Sequence, residues 1–435
     1  MARPNILYLH SHDTGRFVQP YGHAVSTPNL QRLAEEGVLF RQAFTANPTC
    51  SPSRACLLTG QCAHRNGMTG LAHRGFALDD YGHHLVHTLR RHGYTSALAG
   101  VQHLARGPEA WKTIGYDHCI SRDTNAPEKE AVAWLEQAPP QPFFLSVGFF
   151  DTHREFPEET PEDDPRTCLP PPPLPDTPET RLDMARFKTS ARRLDRKMGA
   201  VLEALNRTGL ARNTLVIATT DHGIAFPRMK CNLQDSGTGV MLILRGPEPF
   251  AGGKVSDGLV SQIDLFPTLC DWLAIPAPAW LEGRSLLPLV RGEAPEVNEE
   301  IHMEVNWHAS YEPMRGVRTR RWKYIRRFDG RTRPVLPNCD DSLSKDVWRA
   351  QGWGERPVDA EMLFDLGFDP NEACNRATDP AYANALAEMR GRLEAWMRAT
   401  DDPLLSGPVP APPGALANDP DGISPREPPQ VVGPT

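Results

Sequence analysis

Apolar residues fall along this chain in short runs separated by longer amphipathic stretches. Asn5 to His10 (NILYLH) is one such run, and Thr95 to Ala99, Phe143 to Val147, Thr214 to Thr219 and Val240 to Leu244 are others. Each has the length of a strand and lacks a polar face, which predicts strands buried on both sides. Between them the pattern shifts to helical spacing. Thr27 to Gly37 reads as a helix, with Thr27 as cap, Pro28 at the first helical position and Gly37 as stop. His84 to His92 reads as another, ended by Gly93, and Arg181 to Asn206 as a long one ended near Gly209. Within the long stretch Met184, Phe187, Leu194, Met198 and Leu202 recur at core spacing. Alternation of strands and helices predicts an α/β fold with a mostly parallel central sheet and helices on both faces.

Around Ile301 the texture changes. IHMEV, RGVRT and WKYIR are strand-like runs close together, followed by a helix near Tyr382 to Thr400. This predicts a small C-terminal α+β domain with an antiparallel sheet. The expected organisation is an α/β domain over 1–298, a subdomain over 299–400 and a Pro-rich tail over 401–435. A second Pro-rich stretch, Pro157 to Pro178, reads as an extended surface excursion. The tail is expected to be poorly ordered, or to lie as an arm over a neighbouring copy in a homo-oligomer.

Composition narrows the partners. With 40% hydrophobic and 23% charged residues over 435 positions, the chain is that of a soluble globular protein. A formal net charge of -7 gives no bulk attraction to nucleic acid or anionic membrane. No apolar run approaches the ~20 residues of a membrane span. The start, MARPNILYLH, runs directly into the first strand without secretory features, so a cytoplasmic protein is expected. Nine cysteines, an odd number without CxxC pairs, predict free thiols rather than a disulfide or zinc framework.

The polar residues that follow the strands carry the chemistry. His12 and Asp13 follow the first run, His103 follows Ala99, Asp151 and His153 follow FFLSVGFF, and Asp221 and His222 follow TLVIATT. In an open parallel sheet, ligands bind beyond the carboxyl ends of the strands, so four strands would deliver His and Asp to one rim. His12-Asp13 and Asp221-His222 have the makeup of two halves of a divalent-cation site. Taken singly, each pair is equally a strand-end turn. His103 or His153 alone reads as structural, Cys50 alone as a small buried hydrophobe, and Arg54 or Lys230 alone as a surface charge.

The run CSPSRACLLTG, Cys50 to Gly60, matches the sulfatase motif C-x-P-S-R-x-x-x-L-T-G without a mismatch. RPNILYLHSHDTGR, TPNLQRLAEEGVLFRQAF, PFFLSVGFFDTHREFP, TTDHGIAFP and RTRRWKYI also resemble blocks of that family, from about Pro4 to Asp379. NGMTGL, DTHR and the GIAFP…NL segment most resemble its heparan N-sulfatase (N-sulfoglucosamine sulfohydrolase) branch. The resemblance implies an alkaline-phosphatase-like core. It implies that a formylglycine-generating enzyme, reading Pro52 and Arg54, oxidises Cys50 to formylglycine. One hydroxyl of the aldehyde hydrate would attack sulfur and expel the alcohol or amine. The other would let the sulfated intermediate collapse to sulfate and aldehyde. It further implies that His12, Asp13, Asp221, His222 and the modified Cys50 hold a divalent metal, calcium by family expectation. Arg54 would orient the hydrate, Lys230 grip the sulfate, His103 take the second hydroxyl's proton, and His153 protonate the leaving group.

Three positions depart from the family pattern. His12-Asp13 replaces Asp-Asp, Asp221-His222 replaces Asp-Asn, and Gly100-Val101-Gln102-His103 replaces G-K-x-H. Exchanging a carboxylate for imidazole and a lysine for valine keeps the net charge of the site while changing its shape. Imidazole ligands favour Mn²⁺, Fe²⁺ or Zn²⁺ over Ca²⁺. Three readings follow: a sulfatase acting on a sulfate ester or sulfamate of a small sugar, a phosphonate monoester or phosphodiester hydrolase with the same machinery, and a non-catalytic binding relative.

Overall fold

The computed structural model describes residues 3–433. Nine short strands lie in the first part of the chain: β1 Asn5–Ser11, β2 Val38–Phe40, β3 Ala43–Phe44, β4 Thr95–Gly100, β5 His118–Ser121, β6 Phe143–Gly148, β7 Thr214–Thr220, β8 Leu242–Arg245 and β9 Lys254–Ser256. Eight of them form one sheet in the order β5-β4-β6-β1-β7-β8-β2-β9. Neighbours are parallel except at β8, which runs antiparallel to both β7 and β2. Ile6 and Tyr8 point into one apolar core and Leu7 and Leu9 into another on the opposite face. Burial on both faces is why β1 carries no polar alternation.

The long helix, Pro178–Arg207, starts on a capping box of Thr177 and Thr180. Its later turns place Leu194, Met198 and Leu202 against the sheet. Its first turns place Met184 and Phe187 against Ile224, Phe226 and Met229, in the loop that follows β7. One helix thus fixes both the sheet and the loop that carries Lys230.

Several sequence expectations shift in detail. Thr27 does not cap the helix Pro28–Glu36 with its side chain; its hydroxyl instead accepts the Gln19 amide. The segment that opens the CSPSR motif is a helix that begins at Cys50 itself. β2, β5 and β9 have only three or four residues, and β5 and β9 lie on the sheet's two edges. They are too short to produce a periodic signal. Val240 and Met241 bond to Ala43 and Gly15 before β8 begins.

β3 pairs with β10 (Val260–Ser261). A second sheet then runs in sequence order, β11 Glu300–Trp307, β12 Tyr311–Thr319, β13 Trp322–Arg327 and β14 Glu361–Asp365, all antiparallel. The helix Ala383–Ala399 covers one face through Leu386, Met389, Leu393 and Met397. The other face, with Met303, Val305 and Ile325, packs on Phe44, Leu233 and Leu259.

The Pro-rich tail is not the loose segment its composition suggests. Asp402 pairs with buried Arg315, and Val409, Ala415 and Ala417 are buried. Leu416–Ala417 (β15) pairs with Gln430–Val431 (β16). The Asn418 amide donates to the Ala309 carbonyl at 2.7 Å, and the Ser310 hydroxyl donates to the Asn418 carbonyl at 2.9 Å. Backbone groups that proline leaves free of helix or sheet are satisfied by the β11–β12 turn. The stretch Pro157 to Pro178 is likewise partly buried, with Cys168 and Leu174 against Phe187. No helix among the described residues is long and apolar enough to cross a membrane.

Candidate active site

Cys50 opens a fully buried helix, Cys50–Thr59, behind the extended cap residue Thr49. The thiol is itself only 3% exposed. Its position in the first turn puts the free amides and the positive end of the helix dipole at the sulfur. Arg54, one turn on, is also buried. Its guanidinium donates to the Ser11 carbonyl and the Asp221 carboxylate, each at 2.9 Å, and meets His10 Nδ1. The arginine therefore ties the helix to the ends of β1 and β7.

The strand-end residues converge as expected, with one exception. Ligand atoms of His12, Asp13, Cys50 and Asp221 all lie within 4.8 Å of one another. His12 Nδ1 is 3.1 Å from Asp221 Oδ2, and His222 Nε2 is 3.3 Å from Asp13 Oδ1. Asp13 and His103 hold left-handed backbone angles, φ 51° and 58°, which cost non-glycine residues about 1–3 kcal/mol each. The exception is Asp151. It pairs with Arg193 and Lys197 of the long helix, each at 2.6 Å, and serves packing rather than the rim.

Lys230 is a buried residue, not a surface lysine. Its Nζ lies 2.9 Å from Asp13 Oδ2 and 3.0 Å from Asp340 Oδ2. His153 sits at the mouth, with Nδ1 bonded to the Arg154 carbonyl at 2.5 Å and Nε2 at 4.0 Å from Asp13. His103 lies edge-on to His12, with ring centroids 5.0 Å apart, and its Nδ1 is buried without a partner.

The electrostatics favour an anion at position 50. Burial opposes ionisation of the Cys50 thiol. The charges of Lys230 and His12, with hydrogen bonds to His103 and His12, outweigh it and hold the thiol well below its ordinary range. Burial also pulls the His222 pKa down, yet the carboxylates of Asp221 and Asp13 lift it to about 9.

The donor set fits a divalent cation. His222 Nδ1 bonds the Gly223 carbonyl at 3.0 Å, so Nδ1 carries a proton; Nε2 faces Asp13, where the raised pKa keeps a second proton that a cation would displace. Two acceptors 3.3 Å apart need a proton or a cation between them. His12 Nε2 and His222 Nε2 are buried with no hydrogen-bond partner. A cation among His12 Nδ1, Asp13, Asp221 and Cys50, whose ligand atoms converge, would have His222 Nε2 at its border beside Asp13 and would relieve the crowding of acceptors there.

Three site residues escaped the sequence reading. His308, buried in the β11–β12 turn, brings its imidazole from the second sheet to where it acts electrostatically on Cys50. Asp340 reaches Lys230 from a loop of the same domain. His73 stacks on His103 with centroids 5.8 Å apart, and burial with the neighbouring His103 lowers its pKa to about 4. None of them stands at the end of a strand of the parallel sheet: His308 follows β11 of the second sheet, and His73 and Asp340 lie in connecting segments.

Comparison with known proteins shows the family to which this chain belongs. The family model Sulfatase matches residues 4–275, and the model N-sulphoglucosamine sulphohydrolase, C-terminal, matches residues 229–334. The chain is 33% identical to the human N-sulphoglucosamine sulphohydrolase, over 94% of this chain and 92% of that one. It is 28% identical to a Delta 4,5-hexuronate-2-O-sulfatase of Bacteroides thetaiotaomicron, over 94% and 92% of the two chains. A crystal structure from Bacteroides thetaiotaomicron, described as a sulfatase, superposes with a TM-score of 0.72 at 24% identity, covering 98% of this chain and all of that one.

Proposed function

Because this chain belongs to the sulfatase family and is a sulfuric ester hydrolase, we propose that it cleaves the sulfamate or sulfate ester of a small N-sulfoglucosamine-like sugar. Cys50 acts after conversion to formylglycine, and a divalent cation is held by His12, Asp13, Asp221 and the converted Cys50, with His222 at its border. The observation that carries this reading is the ring around Cys50. His12 and His103 bring ring nitrogens within 4.8 Å of its sulfur, and His222, His308 and the charge of Lys230 act on it electrostatically. The match to the N-sulphoglucosamine C-terminal model spans the segment that holds Lys230 and His308, which supports the sugar class.

When bound, the cation supplies Lewis acidity and positive charge at the oxygens of position 50. The protein residues divide the remaining work. Lys230 neutralises a sulfuryl oxygen. His103 accepts the proton of the second hydroxyl as the sulfated intermediate collapses. His153 has Nδ1–H committed to a carbonyl, so only its Nε2 is free to face the departing nitrogen or oxygen, and as the imidazolium it would give that atom its Nε2 proton. Asp340, set beside Lys230, accepts from a sugar hydroxyl or amine rather than from the sulfuryl group, which it would repel.

Rates on N-sulfoglucosamine, an aryl sulfate and an aryl phosphonate test this reading, with mass spectrometry of the Cys50 peptide to establish its modification. The expected order of kcat/KM is N-sulfoglucosamine first and the phosphonate last. A phosphonate turned over faster than both sulfur substrates would overturn it.

A further inference from the structure

A cavity of about 320 Å³ opens where the loop after β7 meets the second domain, and the chemistry above does not use it. It abuts the catalytic rim. Cys339 lines it and the next residue, Asp340, touches Lys230. Arg228, also in the lining, stands two residues before Lys230.

The walls combine flat rings with uncommitted charge. Trp348 and Trp353 meet edge to face, with centroids 5.1 Å apart at 86°. Arg327, a third guanidinium in the wall, is spoken for by Glu312 at 2.9 Å and Asp329 at 2.8 Å. Among the described residues, neither Arg228 nor Arg356 has an ion-pair partner. Arg228 holds φ 61°, a left-handed angle that the surrounding loop must enforce. Burial lowers its pKa. Glu372 and Asp359 oppose that from a distance, while Arg356 adds to it by repulsion.

Two mutually repelling guanidiniums at a cavity wall are stabilised by an anion placed between them. Their planar forks suit the oxygens of a carboxylate or sulfate. The indoles offer an apolar face for the ring that bears such a group, and domain junctions commonly hold pockets of this kind. The volume is at the low end of the about 300–1,000 Å³ of ligand sites, which suits a small ligand rather than a long chain.

We propose that this cavity is a second binding site, for an anionic sugar whose ring packs into the corner made by Trp348 and Trp353 and whose sulfate or carboxylate is taken by Arg228 and Arg356. The choice of a sugar rests on the proposed function; the choice of a ring-bearing anion rests on the walls alone.

Calorimetric titration of the full chain with N-acetylglucosamine 6-sulfate tests this. Arg356→Gln, at an exposed position, should weaken binding at least tenfold while aryl sulfate turnover stays at the parent level. Trp353→Ala should weaken it as well, and Lys230→Met should leave it intact. Unsulfated N-acetylglucosamine should bind at least tenfold more weakly. Parent-level binding in Arg356→Gln with loss in Lys230→Met would place the ligand at the catalytic rim and overturn the proposal. Inorganic sulfate binding as tightly as the sugar sulfate would also overturn it. Intact titration by a chain that turns over no sulfur substrate would break the proposed function and uphold this site.

Discussion

The strand-end site and the junction between the two domains both bury several charges, but they are assembled differently. At the strand ends, His12 Nε2, His222 Nε2 and Arg54 Nε have no hydrogen-bond partners, and His222 Nε2 stands 3.3 Å from Asp13 without a well-formed bond. At the junction, Glu304 takes the amide and ring of His64 on one oxygen and Asn306 on the other. Arg315 there spends its guanidinium on Asp402, Asn306 and backbone carbonyls. Cys62, His64 and Glu304 bring metal-ligand types as close together as the catalytic group does. Donor types therefore do not mark the reactive site. What differs is that unpaired atoms of His12, Arg54, His103 and His222 gather around one cluster of ligand atoms, where a bound ligand could offset the cost of burying them.

That contrast can be broken at either end. The largest effect is expected from Cys50→Ala, which should lower kcat at least on the order of a thousandfold with little change in thermal midpoint. Measurable turnover near the parent rate would mean that position 50 is not the nucleophile. Next is Arg315→Leu, which leaves Asp402 buried without its charge partner. Chemical denaturation should register a loss of about 3–5 kcal/mol, with kcat of the folded enzyme preserved. A stable variant would show that the junction is not held by its charges.

Lys230→Met should cost about a hundred- to a thousandfold in kcat/KM on a sulfate substrate. A loss confined to stability would make Lys230 a tether for Asp13 and Asp340 only. The smallest effect concerns pH. Burial lowers the His64 pKa, but the Glu304 carboxylate raises it further, to a net value above the ordinary 6.5. The folded state thus binds the proton more tightly than the unfolded one. The stabilisation is complete below about pH 6.5 and fades as pH rises through the folded pKa. Unfolding free energies measured across that range should decline in the parent and flatten in Glu304→Gln. Parallel curves would remove His64 from the account.

The same contrast explains what the sequence made legible. His12, Asp13, His103, Asp221 and His222 could be grouped because each stands at or just after the end of a uniformly apolar run, and strand ends share a rim. Asp151 met the same criterion and went elsewhere, since the basic residues of the long helix are invisible from its own neighbourhood. His308 and Asp340 were illegible because they reach Cys50 and Lys230 from across the domain junction, over 250 and 110 residues of chain respectively. Lys230 looked like a surface residue because nothing local announces burial. Phe226 and Met229, packed under the long helix, are what bury its loop. In the tail, proline content suggested disorder, but small residues such as Ala415 and Ala417 fit a crevice that composition does not describe.

Ala415 and Ala417 belong to the same apolar core as Ala55, Leu57 and Leu58 of the helix that begins at Cys50. During synthesis they leave the ribosome about 365 residues after that cysteine. The last side chains of the core that this helix shares are therefore added late. Any enzyme that must grasp the Cys50 segment as an extended peptide has until then to act, and finds it sealed afterwards.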